Sequence, residues 1–241
     1  MKIALCLHGL FDSTTDGSSN GYDGYQHIKK HILDRVDTDV FIHSWDIEKA
    51  GEITNLYNPK SLVFESPKDF TELINDRGLN NLNRNPTSPQ NVLSHIYSVT
   101  EAMKLPYNSD TSYDIVIKAR FDLGRINRNT SGPGRLNTYP VQCINFQTEI
   151  QSDRIYMADW AHFHMGPADM WFYGSMQTMK PFTSLYDSLD EQMKFRSAFH
   201  TFAAQIESNP GDLSNSIAFY KWWMIQNGLW ENRINLETIW E

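Results

Sequence analysis

Cysteine is scarce in this chain, with two in 241 residues, and long apolar runs are missing. The spacing of Cys6 and Cys143 fits neither a disulfide framework nor a zinc knuckle, so a reducing compartment is expected. No apolar run approaches the roughly 18 residues of a membrane-spanning helix. Residues 1–7 are largely apolar, but His8 and Gly9 end that run too early for a signal peptide. We therefore expect a cytoplasmic protein with no membrane span.

Basic residues and nucleotide-binding fingerprints are also in short supply. The chain has 21 Lys and Arg against 29 Asp and Glu, a formal net charge of -8. Sequence-independent binding of nucleic acid needs a basic surface, so nucleic acid is not an expected partner. Neither G-x-G-x-x-G nor a P-loop occurs. Hydrophobic residues make up 40% and aromatic residues 13% of the chain, which is typical of a globular domain with a substantial core.

The most informative stretch is residues 113–123, Y-D-I-V-I-K-A-R-F-D-L. Its first half is apolar and β-branched, which predicts a buried strand. The strand ends in Arg120 and Asp122, which an extended chain places on the same side. Ligands of open α/β sheets bind beyond the carboxyl ends of strands, so this pair could hold a charged, metal-bound substrate such as a nucleotide sugar. A salt bridge at a strand end is the alternative.

Apolar periodicity along the chain predicts a single α/β domain without internal repeats. Further strands are predicted at 2–7, 39–44, 61–65, 154–160 and 169–174, and helices at 25–36, 91–105, 175–190, 191–207 and 214–226. Polar segments at 8–24, 76–89 and 125–140 are predicted to be loops. The opening strand, helix and strand form one right-handed βαβ unit.

One short motif suggests a hydrolase. Residues 17–21, G-S-S-N-G, match the G-x-S-x-G pattern. A nucleophile elbow needs a strand directly before it and a helix directly after it, but a polar loop precedes this motif. The sequence therefore disfavours a hydrolase.

Two histidine pairs have spacings that could bind a metal. His27 and His31 lie four residues apart on a predicted helix that offers no third ligand, which favours a solvated helix face. His162 and His164 follow Asp159 closely, so three potential ligands lie on one short segment. An ordinary loop is the alternative for that segment.

Six segments, taken in order, resemble a family of small glycosyltransferase-like proteins, many of them viral or bacterial. They are I-A-L-C-L-H-G at 3–9, D-V-F-I-H-S-W-D at 39–46, Y-x-P at 57–59, N-V-L-S-x-x-Y-S at 91–98, Y-D-x-V-I-x-x-R-F-D-L at 113–123 and D-x-W-F-Y-G-S at 169–175. The resemblance lies in the order of the whole set, since each segment alone is common.

The resemblance implies a GT-A-like fold, in which a Rossmann-like mixed sheet is flanked by helices within one domain. Residues 1–123 would form a nucleotide-binding half and residues 124–241 an acceptor-side half. In that fold a D-x-D motif ends the fourth strand and holds a divalent metal on the donor diphosphate. Here the matching triplet is Arg120-Phe121-Asp122, which lacks the first acid. Asp122 alone could anchor Mn²⁺ or Mg²⁺, or Arg120 could neutralise the diphosphate directly.

The resemblance also implies roles for particular residues. The expected donor-binding residues, beside Arg120, are Gly9, Trp45, Asp46, Asn91 and Ser94. For an inverting enzyme, Asp169 is the expected catalytic base and Asp159 the second choice, because acceptor-side acids lie downstream of the metal strand. A retaining enzyme would need a different arrangement, so the assignment of the base depends on the stereochemistry. The loop at 8–24 is expected to close over the donor.

The expected function is that of a glycosyltransferase, which moves a sugar from a nucleotide-sugar donor to a glycan or other hydroxyl acceptor with a divalent cation, Mn or Mg. If the protein is viral, its place is the host cytoplasm. A non-catalytic nucleotide- or sugar-binding module with the same fold is the alternative, which the missing first acid favours. A structural or interaction protein that binds no donor is a third possibility. The fold alone does not choose among them.

Overall fold

The computed structural model describes residues 1–12, 20–77, 88–126, 137–138, 144, 146, 150–159, 166–167, 169–192, 197–206 and 216–237. The strands in these ranges are β1 Lys2–Gly9, β2 Asp37–Ser44, β3 Ser61–Phe64, β4 Ile115–Arg120, β5 Arg125–Ile126, β6 Asn137–Thr138, β7 Ile155–Ala158, β8 Trp171–Gly174 and β9 Arg233–Leu236. The α-helices are α1 Asn20–Ile28, α2 Ala50–Tyr57, α3 Thr71–Asp76, α4 Pro89–Tyr107, α5 Met176–Met179, α6 Leu189–Gln192, α7 Ala198–Ile206 and α8 Ser216–Gln226. None of the helices in the described ranges is long and apolar enough to cross a membrane.

One mixed sheet of seven strands organises the chain, in the order β3-β2-β1-β4-β8-β7-β9. Strands β1 to β4 are mutually parallel, and β7 and β9 run in the same direction. Strand β8 lies antiparallel between β4 and β7. Helices flank this sheet, which confirms the predicted GT-A-like α/β fold. The division into halves at residue 123 stays a prediction, since one continuous sheet runs through both parts.

Both faces of the sheet are covered by apolar packing. Alternate residues of β1 face opposite sides, so Ala4 and Cys6 belong to one core and Ile3 and Leu5 to the other. All four are fully buried, so β1 is an interior strand of the sheet that is covered on both faces.

Helix α4 covers the first of these cores and starts two residues before its predicted position. The Ser88 hydroxyl caps it by accepting the N–H of Asn91 at 3.2 Å, and Pro89 occupies the first helical turn, where its missing N–H costs nothing. The four positions whose spacing predicted the helix, Val92, Ile96, Val99 and Met103, are all buried.

The opening helix differs from its prediction. Helix α1 begins at Asn20 rather than at residue 25, so the predicted loop at 8–24 is shorter. It continues as a π-helical turn, Lys29–Leu33, in which the Asp34 N–H donates to the Lys29 carbonyl at 2.9 Å.

The prediction of a solvated face for His27 and His31 is wrong. Both side chains are buried, with ring centroids 4.6 Å apart. The reason is Gly124, which has a φ of +69° and no side chain, so the His27 ring lies directly against its backbone. Burial lowers the pKa of His27 to about 4, and the neighbouring His31 adds to the lowering.

The second half of the chain is less regular than its periodicity indicates. The predicted helix at 175–190 is divided into α5, a 3₁₀ segment Lys180–Ser184 and α6, because Pro181 cannot donate the N–H that would continue α5. The predicted loop at 125–140 contains the short paired strands β5 and β6. Strand β9 alternates polar and apolar residues over only four positions, Arg-Ile-Asn-Leu, and was not predicted.

The turn that follows β4 is held by close packing against α1, and this predicts a stability effect. A Cβ added at Gly24 of α1 would lie 1.7 Å from the carbonyl oxygen of Phe121, so Gly24→Ala is expected to lower the free energy of unfolding by about 3 kcal/mol. Gly51→Ala in α2 is the matched control. Its Cβ meets nothing within 4 Å, so a gain of about 0.5 kcal/mol is expected from reduced chain entropy. Urea unfolding measures both, and equal effects would contradict this packing.

Candidate active site

The predicted site residues gather at one edge of the sheet, where parallel strands end. Gly9 ends β1 and Arg120 ends β4. Asp159 follows β7, which runs in the same direction. Strand β8 runs the opposite way, so its first residues return to this edge, and the Arg120 N–H donates to the Met170 carbonyl at 3.1 Å. Asp169, one residue earlier, therefore lies beside the end of β4.

Arg120 and Asp122 form a bidentate ion pair. Arg120 Nε donates to Asp122 Oδ1 at 2.9 Å, and Nη2 donates to Oδ2 at 2.8 Å. The Asp122 side chain is only 9% exposed, whereas the Arg120 side chain is 34% exposed. Arg120 Nη1 also lies 3.9 Å from Asp169 Oδ1. The guanidinium therefore occupies the space between two carboxylates.

Asp169 is the centre of the charged cluster. Its Oδ2 accepts a hydrogen bond from the Ser216 hydroxyl at 3.1 Å and lies 3.8 Å from His95 Nε2. Burial opposes ionisation of this carboxyl, but His95, Arg120 and Lys118, together with the Ser216 hydroxyl, hold its pKa below the usual range. Asp169 is therefore a carboxylate at neutral pH.

Lys118 is a site residue that the sequence analysis missed. It is fully buried, and its Nζ donates to the main-chain carbonyl of Asp169. The ammonium also lies over the rings of Phe172 and Tyr220, 5.2 and 5.3 Å from their centroids. Burial lowers the pKa of Lys118 to about 7, with Asp169 opposing and Arg120 adding to the shift. The sequence feature that could have identified Lys118 as a site residue is a lysine in the middle of an apolar predicted strand.

Two histidines, His8 and His95, complete the cluster. Their rings meet edge to face with centroids 5.0 Å apart, and Tyr220 Oη lies 2.9 Å from His95 Nε2. His8 is 1% exposed, and neither of its ring nitrogens has a hydrogen-bond partner among the described residues. Burial lowers the pKa of both histidines, and Lys118 adds to the lowering for each. These residues come from three distant segments, and no sequence signal links them.

Gly9 is positioned by a chain of buried hydrogen bonds. Its N–H donates to Ser98 Oγ at 2.9 Å, and Ser98 Oγ lies 2.7 Å from His43 Nδ1. His43 Nε2 lies 2.8 Å from Glu65 Oε1. All of these contacts are satisfied when His43 carries its proton on Nε2 and accepts the Ser98 hydroxyl proton at Nδ1. Ser98 is fully buried, so the network holds the end of β1 rather than offering a nucleophile.

Trp45 and Asp46 also lie at this edge, after β2. Asp46 Oδ2 accepts the N–H groups of Phe11 and Asp12 at 2.5 and 3.3 Å, which fixes the segment that follows β1. Trp45 is 8% exposed and stacks on Tyr97, with ring centroids 5.5 Å apart. Both residues shape the edge, and their donor-binding role stays a prediction.

The remaining predicted residues of the described ranges are Asn91, Ser94 and Asp159. Asn91 is exposed in the first turn of α4, and Ser94 accepts a hydrogen bond from Gln90 at 3.3 Å. Asp159 is exposed, and its N–H donates to the Leu236 carbonyl at 2.8 Å. His162 and His164 lie outside the described residues, so their metal-binding prediction stays open.

The residues around Asp122 do not fit a divalent cation in this arrangement. Both carboxylate oxygens accept hydrogen bonds from Arg120, whose charge already fills the position between Asp122 and Asp169. In the described part of the chain, no three His, Cys, Asp or Glu side chains stand together as a ligand set. The Mn or Mg expectation stays a prediction.

The strand order and strand directions give the chain an α/β fold of the GT-A-like class. No protein-family model and no curated protein matches the chain. Among solved structures, the crystal structure of mouse xyloside xylosyltransferase 1 in its apo form is similar to it, at 9% identity. The match covers 98% of this chain and 85% of that chain, with a TM-score of 0.48. The fold assignment therefore stands on the strand order and strand directions described above.

Proposed function

We propose that this protein is a glycosyltransferase that moves a sugar from a nucleotide-sugar donor to a hydroxyl of a glycan or other acceptor. The observation that carries the proposal is the meeting of Arg120, Asp122 and Asp169 where β4 ends in a GT-A-like sheet. This edge is where α/β sheets bind ligands, and the cluster supplies both a cation for a phosphate and a carboxylate for a proton.

The chemistry assigns a role to each charge. The bond between the anomeric carbon and the diphosphate oxygen breaks, and its electron pair leaves with the diphosphate. The acceptor oxygen forms the new bond to that carbon, and its proton passes to a carboxylate. Asp169 is ionised at neutral pH and oriented by Ser216, so it is the proposed base, with Asp159 second. Arg120 stabilises the charge of the leaving diphosphate.

A non-catalytic nucleotide- or sugar-binding module is the second candidate. The observation that favours it is the lowered pKa of Asp169, because a weakly basic carboxylate removes a hydroxyl proton less readily. This candidate predicts donor binding without any release of the nucleotide.

A donor screen tests the proposed function. The folded protein is heated with UDP, GDP, CMP, dTDP and their sugars, with and without Mn²⁺, and nucleotide release is measured in parallel. A ligand that binds only the native state raises the melting temperature. We expect one donor class to raise it and to be hydrolysed slowly with water as acceptor.

The outcomes of the screen separate the candidates. A raised melting temperature with no nucleotide release would favour the binding module. No shift with any nucleotide would contradict a donor site and favour an interaction protein.

A further inference from the structure

Asp169 lies just beyond the paired part of β8. The pairing with β4 begins at Trp171, and the Arg120 N–H donates to the carbonyl of the preceding residue, Met170, at 3.1 Å. The Asp169 carbonyl comes one residue earlier, and it accepts a hydrogen bond from the side chain of Lys118. Lys118 therefore extends the attachment of this segment to β4 by one residue, through a side chain instead of the main chain.

Lys118 lies behind Asp169, where a substrate does not reach it. Its side chain is fully buried, whereas that of Asp169 is 22% exposed. Phe172 is the cross-strand partner of Lys118, and the ammonium lies over the rings of Phe172 and Tyr220, at 5.2 and 5.3 Å from their centroids. Any part that Lys118 plays in a reaction is therefore exerted through a neighbour, and Asp169 is the neighbour to which it donates.

An ammonium group at this position is costly to the folded state. The hydrogen-bond acceptor of Lys118 is an uncharged carbonyl, and burial lowers the pKa of the lysine to about 7. A buried charge destabilises the fold unless its partners compensate it. Methionine has a similar length and packs well against aromatic rings such as those of Phe172 and Tyr220. Stability alone therefore favours an apolar side chain here.

The carboxylate of Asp169 has polar partners of its own that do not depend on Lys118. Its Oδ2 accepts the Ser216 hydroxyl at 3.1 Å and lies 3.8 Å from His95 Nε2, and its Oδ1 lies 3.9 Å from Arg120 Nη1. Removal of the lysine thus leaves the carboxylate compensated, but it releases the main chain that carries the carboxylate.

We propose that Lys118 is a positioning residue for Asp169, and that its hydrogen bond to the Asp169 carbonyl holds the carboxylate where it takes the proton of the acceptor hydroxyl. This inference rests on the proposed glycosyltransferase function, in which Asp169 is the base. It explains why a costly buried lysine occupies a position that an apolar residue would fill.

Lys118→Met tests the inference, because it keeps the length of the side chain and removes the donor. We expect kcat for nucleotide release to fall about tenfold to a hundredfold, since a small displacement of a catalytic group is enough for such a loss. The KM for the donor should stay within about twofold of the wild-type value. The urea midpoint should equal or exceed that of the wild type. Lys29→Met, at a position 43% exposed in the turn after α1, is the matched control and should keep the wild-type kcat.

A double variant shows whether Lys118 acts through Asp169. When Asp169→Asn has already removed the base, the position of its main chain matters little. We therefore expect Lys118→Met to lower kcat by less than about twofold in the Asp169→Asn background. An equal loss in both backgrounds would mean that Lys118 acts independently of Asp169 and would overturn the inference.

Other outcomes also decide the matter. A folded Lys118→Met variant with wild-type kcat would overturn the inference and leave the proposed function standing. A variant that does not fold, or whose urea midpoint lies well below that of the wild type, would make Lys118 a structural residue and would overturn it too. A folded wild-type protein that releases no nucleotide from any donor would contradict the proposed function itself.

Discussion

Replacing Asp169 by asparagine is expected to lower the rate of nucleotide release from the donor by about 100- to 10,000-fold. The amide keeps the size of the side chain and can still accept the Ser216 hydrogen bond, but it cannot take the acceptor proton. Donor affinity should not fall, because the change removes a negative charge 3.9 Å from Arg120. Turnover and diphosphate Kd are measured separately, so that loss of chemistry is not mistaken for loss of binding.

Two aspartates serve as comparisons for this variant. Asp153, in the turn before β7, has a side chain that is 69% exposed, and Asp153→Asn should retain full activity. Asp159→Asn tests the second proposed base at the end of β7. If Asp159→Asn loses more activity than Asp169→Asn, the base is Asp159 and Asp169 is an electrostatic partner of Lys118.

Acidification to about pH 5 is expected to unfold the protein, because four buried histidines are held neutral. Burial lowers the pKa of His8, His27, His43 and His95 in the folded state. In the unfolded chain these side chains bind protons near the ordinary histidine pKa of 6.5, so stability is retained above that pH and falls as the pH drops below it. The pKa of about 4 for His27 implies a loss of about 2 kcal/mol at pH 5 from this residue alone.

The measurement is the free energy of unfolding in urea at a series of pH values. Near pH 5.5, above the acid transition, we expect unfolding to take up about three protons, a slope of about 4 kcal/mol per pH unit. Asp169, whose pKa is lowered, adds its own loss only below about pH 4. His27→Gln should reduce the uptake by about one proton. An uptake below one proton in the wild-type protein would mean that the histidines are accessible to solvent.

Local patterns predicted the main elements of the fold well. The β-branched run within residues 113–123 forms strand β4, Ile115–Arg120, and the spacing of Val92, Ile96, Val99 and Met103 is that of the buried face of α4. Each signal is local, because a strand or helix buried on one face repeats its apolar residues with its own period. Short elements such as β9, α2 and α3 have too few residues for an apolar periodicity to be recognised in their sequence.

The candidate site was predicted only in part, since its residues come together through strand pairing. Arg120 and Asp122 were recognised because they lie at the end of a strand. Lys118 was passed over within an apolar run, although a buried ammonium is costly unless other groups compensate it. No sequence pattern marked His8 and His95 as site residues, because a histidine has the same local pattern whether it is buried or exposed.

The sequence by itself determined the α/β class, the buried strand within residues 113–123 and the charged pair at its end, because apolar periodicity and strand ends are local properties. Only the tertiary structure decided that β8 runs antiparallel beside β4, which brings Asp169 back to Arg120. It also decided that His27 of α1 packs against Gly124, and that Tyr220 of α8 lies beside His95. These contacts join residues far apart in the chain, and they depend on which faces pack together, which no single segment encodes.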